Sequence, residues 1–330
     1  MTKKEMVSRF SLLIFCGVVA SGCASEQQSV SVSSAATPAQ KPKHAQKQRV
    51  AWVREVEFSP DQTLFAIIKR IDGVKGINGE IEVWDARQKR QVVRRNSSLI
   101  VSNVSFLGQN QLAVLGGDSL QIWSIVPLKL KRTLKLKNYS QVLATSRSGR
   151  MLATESQIWQ GRDLSIGSFI QSREKEFIRT VAISPDEKTI VTGAWDVEFG
   201  IEGFDAKTGR KIWETTDGQQ SNAAFSPDGR VVGVGTTRGI VLLAPKTGRR
   251  IRTLGQSYGG QFWFMDNETI VQINEGEKLH KERTLVTYAV STGKILRTEP
   301  PLGEHEFISP NGKIRFQLVG DEKTVKFQQE

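Results

Sequence analysis

The chain has 330 residues, 38% of them hydrophobic and 8% aromatic, which is enough apolar material for a sizeable core. Its 10 prolines and 29 glycines are too few for a collagen or a wholly disordered chain. Both of its 2 cysteines, Cys16 and Cys23, lie near the N-terminus, which excludes a disulfide scaffold for the rest, and the net charge of +12 favours anionic partners.

The first residues carry a sorting pattern. Lys3, Lys4 and Arg9 precede an apolar stretch from Phe10 to Ala20, and small residues follow as Ala20-Ser21-Gly22-Cys23. A basic start, a short apolar core and a small-residue cleavage site make a secretory signal. A stretch of eleven residues is too short to span a bilayer, which takes about 20. Ala20 to Cys23 resembles the lipobox of bacterial lipoproteins, although that family more often has Leu where Ala20 stands. The resemblance implies cleavage before Cys23 and lipidation of its thiol. Ala24, rather than Asp, follows the cysteine, which by the same resemblance implies the periplasmic face of the outer membrane. Acyl chains contribute about 0.8 kcal/mol per buried methylene, so several anchor firmly. Residues 24 to about 50 are rich in Ser, Ala, Gln, Lys and Pro, which cannot offset the cost of ordering, and read as a disordered tether. The expected organisation is a signal peptide over 1–22, a lipidated cysteine and tether over 23–46, and a folded body over 47–330.

The body repeats. Ser59-Pro60-Asp61, Ser184-Pro185-Asp186, Ser226-Pro227-Asp228 and Ser309-Pro310-Asn311 are separated, proline to proline, by 125, 42 and 83 residues. One period near 42 accounts for all three gaps and matches a four-stranded propeller blade. Pro presets φ, Asp or Asn bonds the local backbone, and Gly229 and Gly312 accept positive φ, so each motif is a turn. Apolar strands flank it, as in Val56-Glu57-Phe58 before the first and Leu64-Phe65-Ala66-Ile67 after it. Three degenerate copies fill the intervals, around Gly108-Gln109-Asn110, Ser146-Arg147-Ser148-Gly149 and Met265-Asp266-Asn267. Third strands recur as Ile81 to Asp85, Leu120 to Trp123, Gln157 to Trp159, Ile201 to Asp205, Ile240 to Leu243, Leu285 to Tyr288 and Thr324 to Phe327. Fourth strands recur as Lys211-Ile212-Trp213, Arg250 to Leu254 and Lys294 to Arg297.

Trp84-Asp85, with Phe204-Asp205 as a variant, resembles the dipeptide of WD-repeat proteins, and the likeness covers about residues 45 to 330. It implies an all-β, seven-bladed β-propeller of four-stranded antiparallel blades. The family's Gly-His pair is missing, so its buried hydrogen-bond tetrad is not implied here. The seventh unit reaches Glu330 just after its third strand. A terminal strand edge must be hidden, so the expected closing strand is N-terminal, around Lys47-Gln48-Arg49-Val50.

Little in the sequence points to chemistry. Phosphate-loop and dinucleotide spacings are absent, as is a Gly-x-Ser-x-Gly elbow. His44, His280 and His305 are far apart, so no metal or cofactor is expected. Glu55 with Glu57, and Glu80 with Glu82, alternate with apolar neighbours and read as solvated strand faces rather than acid/base pairs. Basic outer strands stand out: Lys129, Lys131, Lys135 and Lys137 alternate with leucines, Arg87 to Arg95 holds five cations, and Arg249, Arg250 and Arg252 follow. Such lysines protect strand edges, or they meet anionic lipid or an acidic partner. The long loops expected at one face are Lys69 to Asn78, Trp195 to Glu198 and Asn274 to His280.

The expected function is a non-enzymatic protein–protein interaction scaffold. It would be a monomeric propeller, anchored through lipid and meeting an envelope protein rather than nucleic acid. Expected partner-binding residues are Trp195, Asp196, Lys75, Lys278, Lys131 and Lys135. Two alternatives stay open: a binder of an anionic envelope polymer or lipid headgroups through the basic rim, and a channel-site enzyme such as a lactonase, lyase or hydrolase.

Overall fold

The structure, a computed structural model, describes residues 50–72, 76–97, 99–161, 163–172, 178–194, 200–216, 220–255, 261–275, 283–303, 305–320 and 323–328. The signal segment, Cys23 and the tether therefore lie outside the described residues, as do Lys47 to Arg49. The rest is an all-β, seven-bladed propeller. Blade 1 is β1–β4 (Val50–Phe58, Leu64–Asp72, Gly79–Asp85, Arg90–Ser97) and blade 2 is β5–β8 (Asn103–Leu107, Gln111–Gly116, Ser119–Ser124, Lys129–Lys135). Blade 3 is β9–β12 (Ala144–Thr145, Met151–Ala153, Gln157–Gln160, Ser165–Phe169) and blade 4 is β13–β16 (Ile178–Ile183, Thr189–Ala194, Ile201–Asp205, Lys211–Thr215). Blade 5 is β17–β20 (Gln220–Phe225, Val232–Thr236, Gly239–Leu243, Arg250–Leu254) and blade 6 is β21–β24 (Phe262–Phe264, Thr269–Glu275, Arg283–Ala289, Ile295–Thr298). Blade 7 is β25–β27 (Glu306–Ile308, Arg315–Val319, Thr324–Phe327). Each sheet runs in sequence order, every neighbour antiparallel. First strands of successive blades lie against one another, β1 with β5, β5 with β9, β9 with β13, β13 with β17 and β17 with β21. They form the inner wall, and the fourth strands form the rim.

Strand alternation sends side chains to both faces of every sheet, so each blade is apolar on two sides. Seven hydrophobic clusters result, one between each pair of neighbours. Between blades 1 and 2, Ile68, Ile81 and Val83 meet Val104, Leu112 and Val114. Between blades 7 and 1 the cluster is aromatic: Phe65 stacks on Phe316 at 4.5 Å between ring centroids, and Phe58, Trp84, Phe307 and Phe327 surround the pair.

The Ser-Pro-Asp turns hold the inner face. The serine is buried in all four (Ser59, Ser184, Ser226 and Ser309) and is a hub that neither Pro nor Asp reveals. Ser226 Oγ donates to Asp228 Oδ1 at 2.7 Å and accepts from Val231 N at 3.1 Å. Ser309 repeats this with Asn311 at 2.8 Å and Ile314 N at 3.0 Å. The fourth turn position takes positive φ whether it is Gly229 (71°) or Gln62 (58°). Neighbouring turns also join. The Gln109 side-chain amide lies 2.9 Å from Asp61 Oδ1, and Gly108 lies against Gly149. Ser148 donates to Glu187, and Gly229 lies against Pro185. Asp228 N donates to Asn267 Oδ1 at 2.9 Å, Trp263 Nε1 to the Pro310 carbonyl at 2.7 Å, and Asn311 N to Gln62 Oε1 at 2.9 Å. This circlet passes through all seven blades.

Closure differs from the sequence expectation in one respect. Among the described residues the seventh sheet has three strands. Val50 does not close it. Val50 pairs with Asp72 in blade 1, because β1 and β2 extend beyond the bulge at Arg54. Lys69 to Asp72, expected in a loop, are part of that extended hairpin. Blade 7 meets blade 1 instead through the aromatic stack and the turn circlet.

Candidate functional site

The inner strands of blades 1–3 build a polar concavity where the channel wall meets the turn face. Glu57, Phe58 and Pro60 come from blade 1, Ser105 and Phe106 from blade 2, and Thr145, Ser146 and Arg147 from blade 3, around about 270 Å³. The sequence places these side chains by alternation. On β1, Val56 and Phe58 pack toward blade 7, so Glu55 and Glu57 point the other way, to β5. Glu55 Oε2 accepts from Val104 N at 2.9 Å. Glu57 Oε1 accepts a long hydrogen bond, 3.5 Å, from Ser105 Oγ. Ser105 Oγ lies 2.9 Å from Thr145 Oγ1, which donates to the Phe106 carbonyl at 2.6 Å. One polar chain thus crosses three blades.

The wall half-buries both carboxyls. Burial pushes Glu55 up to about 8, and the nearby Glu57 carboxylate adds to the rise against the Val104 hydrogen bond. Burial pushes Glu57 up to about 7, against the Ser105 hydroxyl. The reading of this pair as a solvated face is therefore corrected: they are half-buried residues of the inner wall. A positive group arriving at the concavity stabilises both charged forms. Arg147, exposed on the same lining, offers the opposite sign to an anionic group.

Glu80 and Glu82 are buried too, against the same expectation. They share a sheet face with Phe65 and Trp84. Lys69 Nζ lies 2.7 Å from Glu82 Oε1, Arg94 Nε lies 2.6 Å from Glu80 Oε2, and Trp84 Nε1 donates to Glu82 Oε2 at 3.0 Å. Burial of charges requires such pairing, so the group reads as part of the blade 1 core.

Of the expected partner-binding residues, Lys131 and Lys135 lie on β8, the outer strand of blade 2, and both are exposed. Lys131 stands at a bulge, between Arg132 opposite Ile122 and Leu130 opposite Trp123. Cys23, Lys75, Trp195, Asp196 and Lys278 lie outside the described residues. The structure brings neither lysine to the concavity. Ser105, Thr145 and Arg147 were missed because nothing in one strand's sequence says which neighbours it meets. The available signal was Glu57 itself, a charge on an inner strand just before a Ser-Pro-Asp turn. Compared with known proteins, the chain matches no family model and no curated protein.

Proposed function

We propose that this protein is a non-enzymatic interaction scaffold, held at the periplasmic face of the outer membrane by lipid on Cys23. Its partner, an envelope protein, seats a polar or charged segment in the concavity of blades 1–3. One observation carries the reading: a concave site with a carboxylate, hydroxyls, a guanidinium and aromatic edges, drawn from three blades. Such a set fixes a peptide by hydrogen bonds and charge. The anchor rests on Ala20-Ser21-Gly22-Cys23, and the WD-repeat kinship on the 42-residue period and Trp84-Asp85.

Crosslinking in cells, followed by purification through a C-terminal tag and mass spectrometry, tests it. One envelope protein should be captured by the wild-type chain and lost with Glu57→Gln or Arg147→Glu. Unchanged capture by both variants removes the concavity from the proposal. Palmitate labelling lost with Cys23→Ser tests the anchor separately.

A further inference from the structure

We propose that the rim of blades 4–6 docks on an anionic lipid bilayer. The outer strand of each four-stranded blade carries a bulge that drops one residue out of register. That residue is Val92 in blade 1, Lys131 in blade 2 and Gly167 in blade 3. In blades 4, 5 and 6 it is Ile212, Ile251 and Leu296, which are 50%, 44% and 57% exposed. The bulge forms with Lys131 or Gly167, so folding does not demand an aliphatic side chain there. Three consecutive blades nevertheless present one to solvent, and Ile295, 60% exposed, adds a fourth.

These tips sit in a positive field. The three turn-and-strand segments, 205–215, 244–254 and 290–299, hold nine lysines and arginines against three acids, Asp205, Glu214 and Glu299. Lys211 is held by Glu202 and Glu214, and Arg297 lies 3.7 Å from Glu299, so the field comes mostly from cations such as Arg249 in blade 5 and Lys294 in blade 6. The surface is a convex rim, with aliphatic tips separated blade from blade. A protein interface needs a contiguous, complementary patch. A bilayer does not: isolated aliphatic tips enter the headgroup layer while adjacent cations meet lipid phosphates. Docking of this kind does not depend on the lipid at Cys23, although both would hold the molecule at the same surface.

The test uses the full chain with Cys16 and Cys23 changed to Ser, and an environment-sensitive fluorophore on Ile251→Cys or Leu296→Cys. Arg90→Cys, exposed on the rim of blade 1, is the control. Phosphatidylglycerol vesicles should shift the emission at 251 and 296 to the blue, and high salt should reverse it. Phosphatidylcholine vesicles should give no shift, nor should the control position. Adding Arg249→Glu, Arg250→Glu and Lys294→Glu should abolish the shift at 251. No shift, an equal shift at position 90, or a shift retained after charge reversal overturns the proposal. A shift that appears only with added envelope protein overturns it in favour of a protein partner.

Discussion

The interface between blades 4 and 5 and the interface between blades 7 and 1 do the same work with different parts. In the first, the rim takes part. Trp213, on the outer strand of blade 4, lies in a slot between Gly203 and Gly248, where added Cβ atoms would stand 2.1 and 2.4 Å from its ring. Its Nε1 donates to the Pro245 carbonyl of blade 5 at 2.6 Å. Arg252 repeats the clasp one blade on, donating to the Ser291 and Thr292 carbonyls at 2.8 and 2.9 Å. Arg132 makes the same link from blade 2 to the Asp163 carbonyl of blade 3. Arg297 occupies the corresponding register in blade 6, but blade 7 shows no third-to-fourth-strand turn among the described residues, and Arg297 lies 3.7 Å from Glu299 instead. Between blades 7 and 1 the holding parts are further in: the Phe65–Phe316 stack and the Asn311–Gln62 hydrogen bond. Among the described residues, the contacts that join two neighbouring blades therefore lie at the rim in one interface and in the interior in the other.

Breaking that stack should have the largest effect. Phe316→Ala should cost about 3–5 kcal/mol of unfolding free energy in a urea titration, because Phe316 is fully buried among aromatics. A loss below about 1 kcal/mol would show that the ring is closed by something else.

The inner wall shared by blades 1–3 gives the next effect, and its sign follows from proton linkage. Glu55 and Glu57 titrate higher in the folded chain, about 8 and 7, than their ordinary value of 4.5. Between 4.5 and those values the folded chain binds more protons than the unfolded one, so stability falls as pH rises and the loss is complete above about 8. Thermal unfolding should drop in temperature across that window, and Glu55→Gln with Glu57→Gln should flatten the slope. An unchanged slope in the double variant would remove these carboxyls from the explanation.

The smallest effect sharpens the comparison most. Arg252→Ala should cost about 1 kcal/mol through its lost carbonyl hydrogen bonds. Arg297→Ala, at the same register but 70% exposed, should stay within about 0.5 kcal/mol. Equal costs in paired denaturation curves would mean that the clasp contributes nothing.

Much of the fold was legible because it is periodic. The 42-residue spacing located all seven first-to-second-strand turns, and the third strands from Ile81 to Phe327 fall where alternation put them. The site was less legible. Glu57 alternates with Val56 and Phe58 as any solvated residue on a half-buried strand does. Only the placement of β5 beside β1 half-buries that face. Glu82 also alternates with apolar neighbours, but its cover comes from within blade 1, from Lys69 on β2 and Trp84 on its own strand. The rim was partly legible: the alternation of lysines and leucines holds at Leu134 on β8 and at Leu136 just after it, both buried, and fails at Leu130, 40% exposed, where the bulge turns the strand.

The sequence by itself determined the repeat, the turn chemistry and the antiparallel hairpins, because each depends on residues within a few positions of one another. The tertiary structure alone decided which blade faces meet, how blade 7 reaches blade 1, and that Glu57, Ser105 and Thr145 share one polar chain. Those contacts join residues 40 to 250 positions apart, and their energies come from burial and desolvation, which exist only once the ring has closed.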